Sequence, residues 1–353
     1  MPSAYDPDGA ALDVALRDAP AYRRRQVDEG LWRQHRRPEE MTVLPRALRD
    51  ALAAAFPPSL RCVATAVADD GRTTKWVFAL HDGATVETVA MAYGGRVTVC
   101  ISSQAGCAMG CTFCATGQAG FRRHLAAAEL LEQVVAAARH CAPRRLGNVV
   151  FMGMGEPLAN YGPTLSTVRA LTQKMGLSAR HLTVSTVGVA PRIEQLAADA
   201  PTVTLAVSLH AANDALRDTL VPLNRTYPLE RVEAACQVWR AVTRRRVSFE
   251  WALIDGVNDR AQDAAELAAI ARRCAAHVNL IALNPTPGYA TKGTPREGVL
   301  AFRAALERLG VNATVRATRG REIDAACGQL AAVEGGRRSR TVAGPVRRET
   351  QDG

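Results

Sequence analysis

Residues 96–120 read RVTVCISSQAGCAMGCTFCATGQAG. A strand-like run enters a loop carrying Cys107, Cys111 and Cys114 at the spacing C-x3-C-x2-C, and a helical pattern follows. Structural zinc sites normally use four ligands, often as paired C-x2-C knuckles. Ordinary iron–sulfur clusters are also held by four thiolates. Three thiolates on one short loop suit a [4Fe–4S] cluster whose fourth iron stays open. The plain alternative is three buried or zinc-binding cysteines. The order strand, loop, helix is the setting in which such a motif carries weight.

Downstream of this loop, strand and helix patterns alternate. NVVFMGMG precedes a helix near 163–175, and HLTVSTVG one near 191–199. TVTLAVSLH, VSFEWALID and VNLIALNP each precede another, and NATVRATRG is a late strand. Repeated β/α units imply a parallel sheet with right-handed crossovers. Counted from the strand at 96–102 there are six main units, so the expected class is α/β, a partial (β/α)6 barrel over 96–330. Barrels of this kind place their chemistry on loops at the C-terminal ends of strands. The cysteine loop, Gly155-Glu156, Ser185, residues 208–210 and Asn284 all fall at such ends.

Upstream, RCVATAVA, TKWVFALH and ATVETVAMAY read as strands in a β-rich segment over 59–95, with Asp69-Asp70-Gly71 as a hairpin turn. Residues 1–58 form an expected helical accessory domain, closed by Pro57-Pro58. Basic clusters at 23–25 and 33–37 fit either solvated helix faces or an RNA-binding surface. From 331 to 353 the chain is poor in apolar residues and reads as a disordered basic tail.

The 353 residues carry 44 Lys and Arg against 34 Asp and Glu, a net charge of +10. That excess favours a polyanionic partner such as RNA. Nine cysteines, a polar opening (MPSAYDPDGA) and no membrane-length apolar run place the chain in a reducing cytoplasm, with thiols used for metal and chemistry. No membrane partner is expected.

The three-cysteine loop resembles that of the radical SAM superfamily, in which the open iron chelates S-adenosylmethionine (SAM). The stretch 86–120, with MGMGEPLANY (152–161), VSTVGV (184–189), AVSLHAANDALRDTLVPLNR (206–225), VNLIALNPTPG (278–288) and VRATRGREIDAACGQL (315–330), closely resembles the adenine-C2 RNA methyltransferases of the RlmN/Cfr family. The blocks run in register from about 85 to 330. The resemblance implies that Cys107, Cys111 and Cys114 ligate one [4Fe–4S] cluster, and that Gly155, Glu156, Ser185, Ser208, Leu209, His210 and Asn284 contact SAM. It also implies that Cys327 is the cysteine that becomes methylated, that Cys100 is a second catalytic thiol and that Glu87 is a proton acceptor. Trp251 stands where the family commonly has another aromatic.

The implied reaction answers a chemical difficulty. C2 of adenine is electron-poor and does not attack a sulfonium methyl. The resemblance implies two SAM molecules, one methylating the Cys327 thiolate and one cleaved reductively to generate a radical on that S-methyl group. The methylene then adds to C2, and a Cys100–Cys327 disulfide releases the product. Implied substrates are 23S rRNA and tRNA, and the implied reductant is an electron donor such as flavodoxin or ferredoxin. The C8-methylating branch of the family has the same site residues and is the alternative regiochemistry. A different class, an RNA-binding protein with a structural metal site, also remains open.

By residue type alone, Cys327 reads as a small buried hydrophobe. Cys100, on an apolar strand, is open between core packing and function. Glu87 in a strand suggests a solvated face, and Ser208 and His210 suggest polar groups at a strand end. Cys62, Cys141, Cys236 and Cys274 lie outside the family motifs and read as structural.

Overall fold

The computed structural model describes residues 2–286, 288–316, 319–326 and 328–330. Cys327 and the expected tail at 331–353 lie outside the described residues. Near the N-terminus, helices run over Ala10–Ala15, Ala21–Asp28 and Arg46–Ala55, with a π-helical turn at Glu29–Arg33. Leu12, Val27, Leu31, Trp32 and Leu52 bury the apolar sides of these elements, as helical spacing requires.

Among the described residues ten strands form one sheet. Strands β1 (Arg61–Ala68), β2 (Thr73–Ala79), β3 (Thr85–Tyr93) and β4 (Arg96–Cys100) are an antiparallel meander. Asp69 and Asp70 both take left-handed backbone angles in the β1–β2 turn. This is the conformation that hairpin turns demand and that Asp tolerates. A small antiparallel pair, β5 (Gln104–Gly106) and β6 (Phe121–His124), stands apart from the large sheet. Then β7 (Arg145–Phe151), β8 (Leu182–Thr186), β9 (Thr204–Ser208), β10 (Ser248–Leu253), β11 (His277–Ala282) and β12 (Ala313–Val315) continue parallel from β4. Because β4 pairs with β3 on one edge and β7 on the other, the segment 59–95 and the parallel strands share one continuous sheet. The parallel part has the β/α alternation of a partial barrel.

Pairing register decides which residues share a face, since directly opposed residues point the same way. Lys75 opposes Val89, Val89 opposes Cys100, and Cys100 opposes Val150. Farther along, Ser185 opposes Ala206 and Ser208 opposes Glu250. Strand alternation then puts Lys75, Glu87, Cys100, Ser185, Ser208 and Glu250 on one face of the sheet. The opposite face packs on the helix Ala127–His140, where Gln133 accepts a hydrogen bond from Thr88 Oγ1 at 2.8 Å.

Candidate active site

The neck of the cysteine loop is the β5–β6 pair. Gly106 sits at φ 75°, and a Cβ there would lie 2.0 Å from the Gly120 carbonyl oxygen. Only glycine lets the two strands close this tightly. The Cys107 amide donates to that same carbonyl at 2.8 Å, and the Cys114 amide to Cys111 O at 3.2 Å. The loop also leans on the helix Asp214–Leu220, through Thr112 N donating to Leu220 O at 3.1 Å.

A cavity lies over the C-terminal ends of the strands. Cys107, Cys111 and Cys114 line it, as do Gly155, Glu156, Ser185, Ser208, His210 and Asn284. Leu209 is the exception among the expected SAM contacts. Its side chain is fully buried in the core, and its carbonyl accepts from Arg217 Nε at 3.0 Å.

Glu156 is buried, and each carboxylate oxygen takes a backbone amide: Oε1 from Leu158 at 2.9 Å and Oε2 from Val187 at 2.8 Å. Burial raises its pKa to about 7, against the lowering effect of those amides. Gly155, at φ 96°, brings this turn against Gln104, whose Oε1 accepts from the Glu156 amide at 2.8 Å.

His210 is held neutral, its pKa pushed down to about 3 by burial and by the nearby Arg217 charge. Its Nδ1 accepts from the Ala252 amide at 3.0 Å, which fixes the proton on Nε2. The ring meets Phe113 of the cysteine loop edge-on at 4.8 Å.

Residues to which the motifs assign no role also organise the site. Arg217 is fully buried and donates to Leu209 O (3.0 Å), Val187 O (2.6 Å) and Asn224 Oδ1 (2.8 Å). It ties together the loops after β8 and β9. Burial lowers its pKa to about 10, so it stays cationic near neutrality. Ser102 Oγ donates to Glu87 O at 2.6 Å and accepts from Met154 N at 2.9 Å, joining β3 to the turn that presents Glu156. Gln133 clamps Ser102 through both backbone groups. The sequence signal for Gln133 was a neutral amide inside the apolar run LLEQVVAAA.

The cavity wall also includes Glu250 and Arg316, 3.4 Å apart.

Glu87 and Cys100 stand outside the cavity lining, on the neighbouring strands β3 and β4 of the same sheet face. Glu87 is 2 % exposed, so it belongs to no solvated face. Its Oε2 makes no well-aligned hydrogen bond and faces the Lys75 ammonium at 3.4 Å. Burial raises its pKa, and the Lys75 charge opposes that rise. Cys100 is buried at 8 % exposure. Lys75 Nζ also donates to Asp324 O at 3.1 Å, so the C-terminal loop reaches this face. Although Cys327 itself is not described, Gly328 and Leu330 line the cavity, and Gly328 O accepts from the Ala115 amide at 2.9 Å.

Of the remaining thiols, Cys236 and Cys274 are buried and Cys141 is half-buried, but Cys62 is exposed beside a β-bulge in β1. A bulge turns a side chain out of the strand's regular alternation.

The donor set fits an iron–sulfur cluster. Burial raises the Cys107 thiol pKa to about 12 and pushes Cys111 higher still, with neighbouring thiolates adding to both shifts. A cationic centre stabilises such buried sulfurs as thiolates. Among the described residues no three groups converge on a single ion position. A cubane does not require convergence, since its thiolates bind separate corners.

Residues 101–268 match the family model of the radical SAM superfamily. A protein of Parafrankia sp. named "Probable dual-specificity RNA methyltransferase RlmN" is 52% identical over 333 residues, covering 89% of this chain and 86% of its own length. A protein of Mycolicibacterium paratuberculosis with the same name is 50% identical over 343 residues, covering 94% of each. A radical SAM methyltransferase from Sphaerobacter thermophilus superposes with a TM-score of 0.90 at 47% identity, over 94% of this chain and 100% of that one.

Proposed function

We propose, since this chain belongs to the RlmN family of radical SAM RNA methyltransferases, that it methylates C2 of an adenine in 23S rRNA and in tRNA through a methylated Cys327. The observation that supports this most directly is the shared cavity. It gathers the three cysteines, the SAM-matching residues and Gly328 and Leu330, which flank the Cys327 position on its C-terminal side.

The cofactors are a [4Fe–4S] cluster and SAM; bound at Cys107, Cys111 and Cys114, the cluster supplies the electron for reductive SAM cleavage. Glu156 receives the ammonium of the SAM methionine, for which a desolvated carboxylate is suited. His210, neutral and with Nε2–H as donor, orients the cofactor without adding charge. Gly155, Ser185, Ser208 and Asn284 complete the polar contacts, and Leu209 contributes through its backbone.

Cys327 accepts the methyl group as a thiolate. Glu87 takes the C2 proton, consistent with its raised pKa. Cys100, as a thiolate, attacks Sγ of Cys327, so that the disulfide forms as the S–C bond breaks; the bonding pair passes to the methylene carbon, which takes up a proton and becomes the C2 methyl group. A dithiol reductant then restores both thiols. A one-electron donor of the flavodoxin or ferredoxin class serves the cluster. The compartment is the cytoplasm; among the described residues no helix is long and apolar enough to cross a membrane.

The test is a pair of thiol variants. Cys327→Ala lacks the methyl acceptor and is expected to yield no methylated RNA while keeping its iron. Cys100→Ala is expected to accumulate RNA joined to Cys327 through a methylene bridge, seen as an RNase-sensitive shift on denaturing gels. The double variant should show no shift. Free methylated RNA made at the normal rate by either single variant would refute the mechanism. Nucleoside mass spectrometry of the product separates C2 from C8 methylation.

A further inference from the structure

A second groove adjoins the catalytic cavity. It shares Ala282, Leu283 and Arg316 with the cavity and runs outward past the ends of β11 and β12. Arg316 reaches toward Glu250 at 3.4 Å and stands at the partition between the two spaces. Lys292 and Arg296 line the groove and are exposed. Among the described residues no carboxylate lines it. Its apolar lining includes Leu300 at 47% and Val315 at 39% exposure. An exposed apolar floor whose charged neighbours in the lining are all cations is not what solvent alone favours. It matches a strand that is anionic along its backbone and apolar on the faces of its bases.

An adenine whose C2 must reach the catalytic cavity has left its stack. The adjoining nucleotide must then leave the cavity by a path continuous with it. We propose that this groove is a subsite for the unpaired RNA nucleotide next to the target adenine, with Lys292 and Arg296 each on one of its two flanking phosphates and Leu300 and Val315 beneath its sugar or base. The proposal rests on the RNA methyltransferase reading above. Neither lysine nor arginine is among the residues that hold the cluster or SAM.

The test uses the full-length protein loaded with its cluster and a fluorescent hairpin RNA bearing the methylatable adenine. Lys292→Ala/Arg296→Ala should weaken RNA binding roughly tenfold at about 0.1 M salt, and flatten the slope of log affinity against log salt by about 1.4, as loss of two phosphate contacts on single-stranded RNA requires. Iron content and SAM affinity should match the unsubstituted protein. A 4-thiouridine beside the adenine should crosslink to the peptide containing Arg296 and Leu300. Unchanged RNA affinity and slope in the double variant, or crosslinks confined to other peptides, would overturn the subsite while leaving the RNA reading intact. Failure of the unsubstituted protein to bind the hairpin would overturn the RNA reading itself, and the subsite with it.

Discussion

Lys75 Nζ stands 3.4 Å from Oε2 of Glu87, and the same ammonium donates to the carbonyl of Asp324 at 3.1 Å. One cation therefore links the buried carboxylate on β3 to the loop that leads to Cys327. Burial raises the Glu87 pKa, and Lys75 holds part of that rise in check.

A base must be ionised to act, so its rate limb rises with pH. Lys75→Met removes the charge that favours the ionised form and is expected to move the acidic limb to higher pH. Lys75→Arg should return most of the shift. Glu87→Gln should slow methylation by about 10²–10⁴-fold. Single-turnover rates of methylated-adenine formation across pH check all three, and an unmoved limb in Lys75→Met would remove Glu87 from the proton-transfer role.

SAM affinity should depend on the protonation of Glu156, whose pKa lies at about 7. A bound ammonium favours the carboxylate, so affinity is expected to rise with pH through that value and then level off. Anaerobic calorimetry on the loaded protein measures it. Stability of the unloaded chain should run the other way. A raised carboxyl pKa contributes stability below the ordinary value of 4.5 that is lost as pH rises through about 7. Flat profiles in both experiments would contradict the buried-carboxylate account.

Cluster assembly must strip protons from Cys107 and Cys111, whose thiols are both raised by burial. Loading with iron and sulfide is therefore expected to acidify a weakly buffered solution and to proceed faster at higher pH. Cys111→Ala should lose the cluster absorption and most bound iron while keeping its circular dichroism. Full iron and sulfide in that variant would refute the ligand assignment.

The neck of the cysteine loop gives a purely structural prediction. Gly106→Ala places a Cβ 2.0 Å from Gly120 O at a left-handed backbone angle. The strain is expected to cost about 1–3 kcal/mol, and relief of the clash should open the β5–β6 pair. Iron should be released faster to a chelator than from the unsubstituted protein. A retention time unchanged from the parent would mean that the neck does not hold the loop.

Much of the architecture was legible beforehand because it repeats. Each strand–loop–helix unit announces itself by its own periodicity, and the helices at Tyr161–Gln173 and Ala190–Asp199 lie within two residues of where their patterns put them. Most of the polar residues that line the cavity were legible as motifs at strand ends. The structural roles of Arg217, Ser102 and Gln133 were not. Their partners include backbone groups 8 to 52 residues away, and nothing in a linear pattern marks which carbonyl a buried guanidinium will find. Leu209 shows the converse, a motif residue whose side chain belongs to the core and whose carbonyl accepts from the buried Arg217.

The three-thiol loop, the β/α order and the polar residues that end each strand depend on residue type and local spacing, and so were written in the chain itself. Which of them meet is a property of the folded molecule. Sheet register places Lys75, Glu87 and Cys100 on the face that also bears Ser185, Ser208 and Glu250, and a shift of one residue would turn each to the other side. Burial then turned Glu87 from an expected surface charge into a carboxylate 2 % exposed. Those outcomes come from strands distant in sequence, and from a desolvation that no single segment contains.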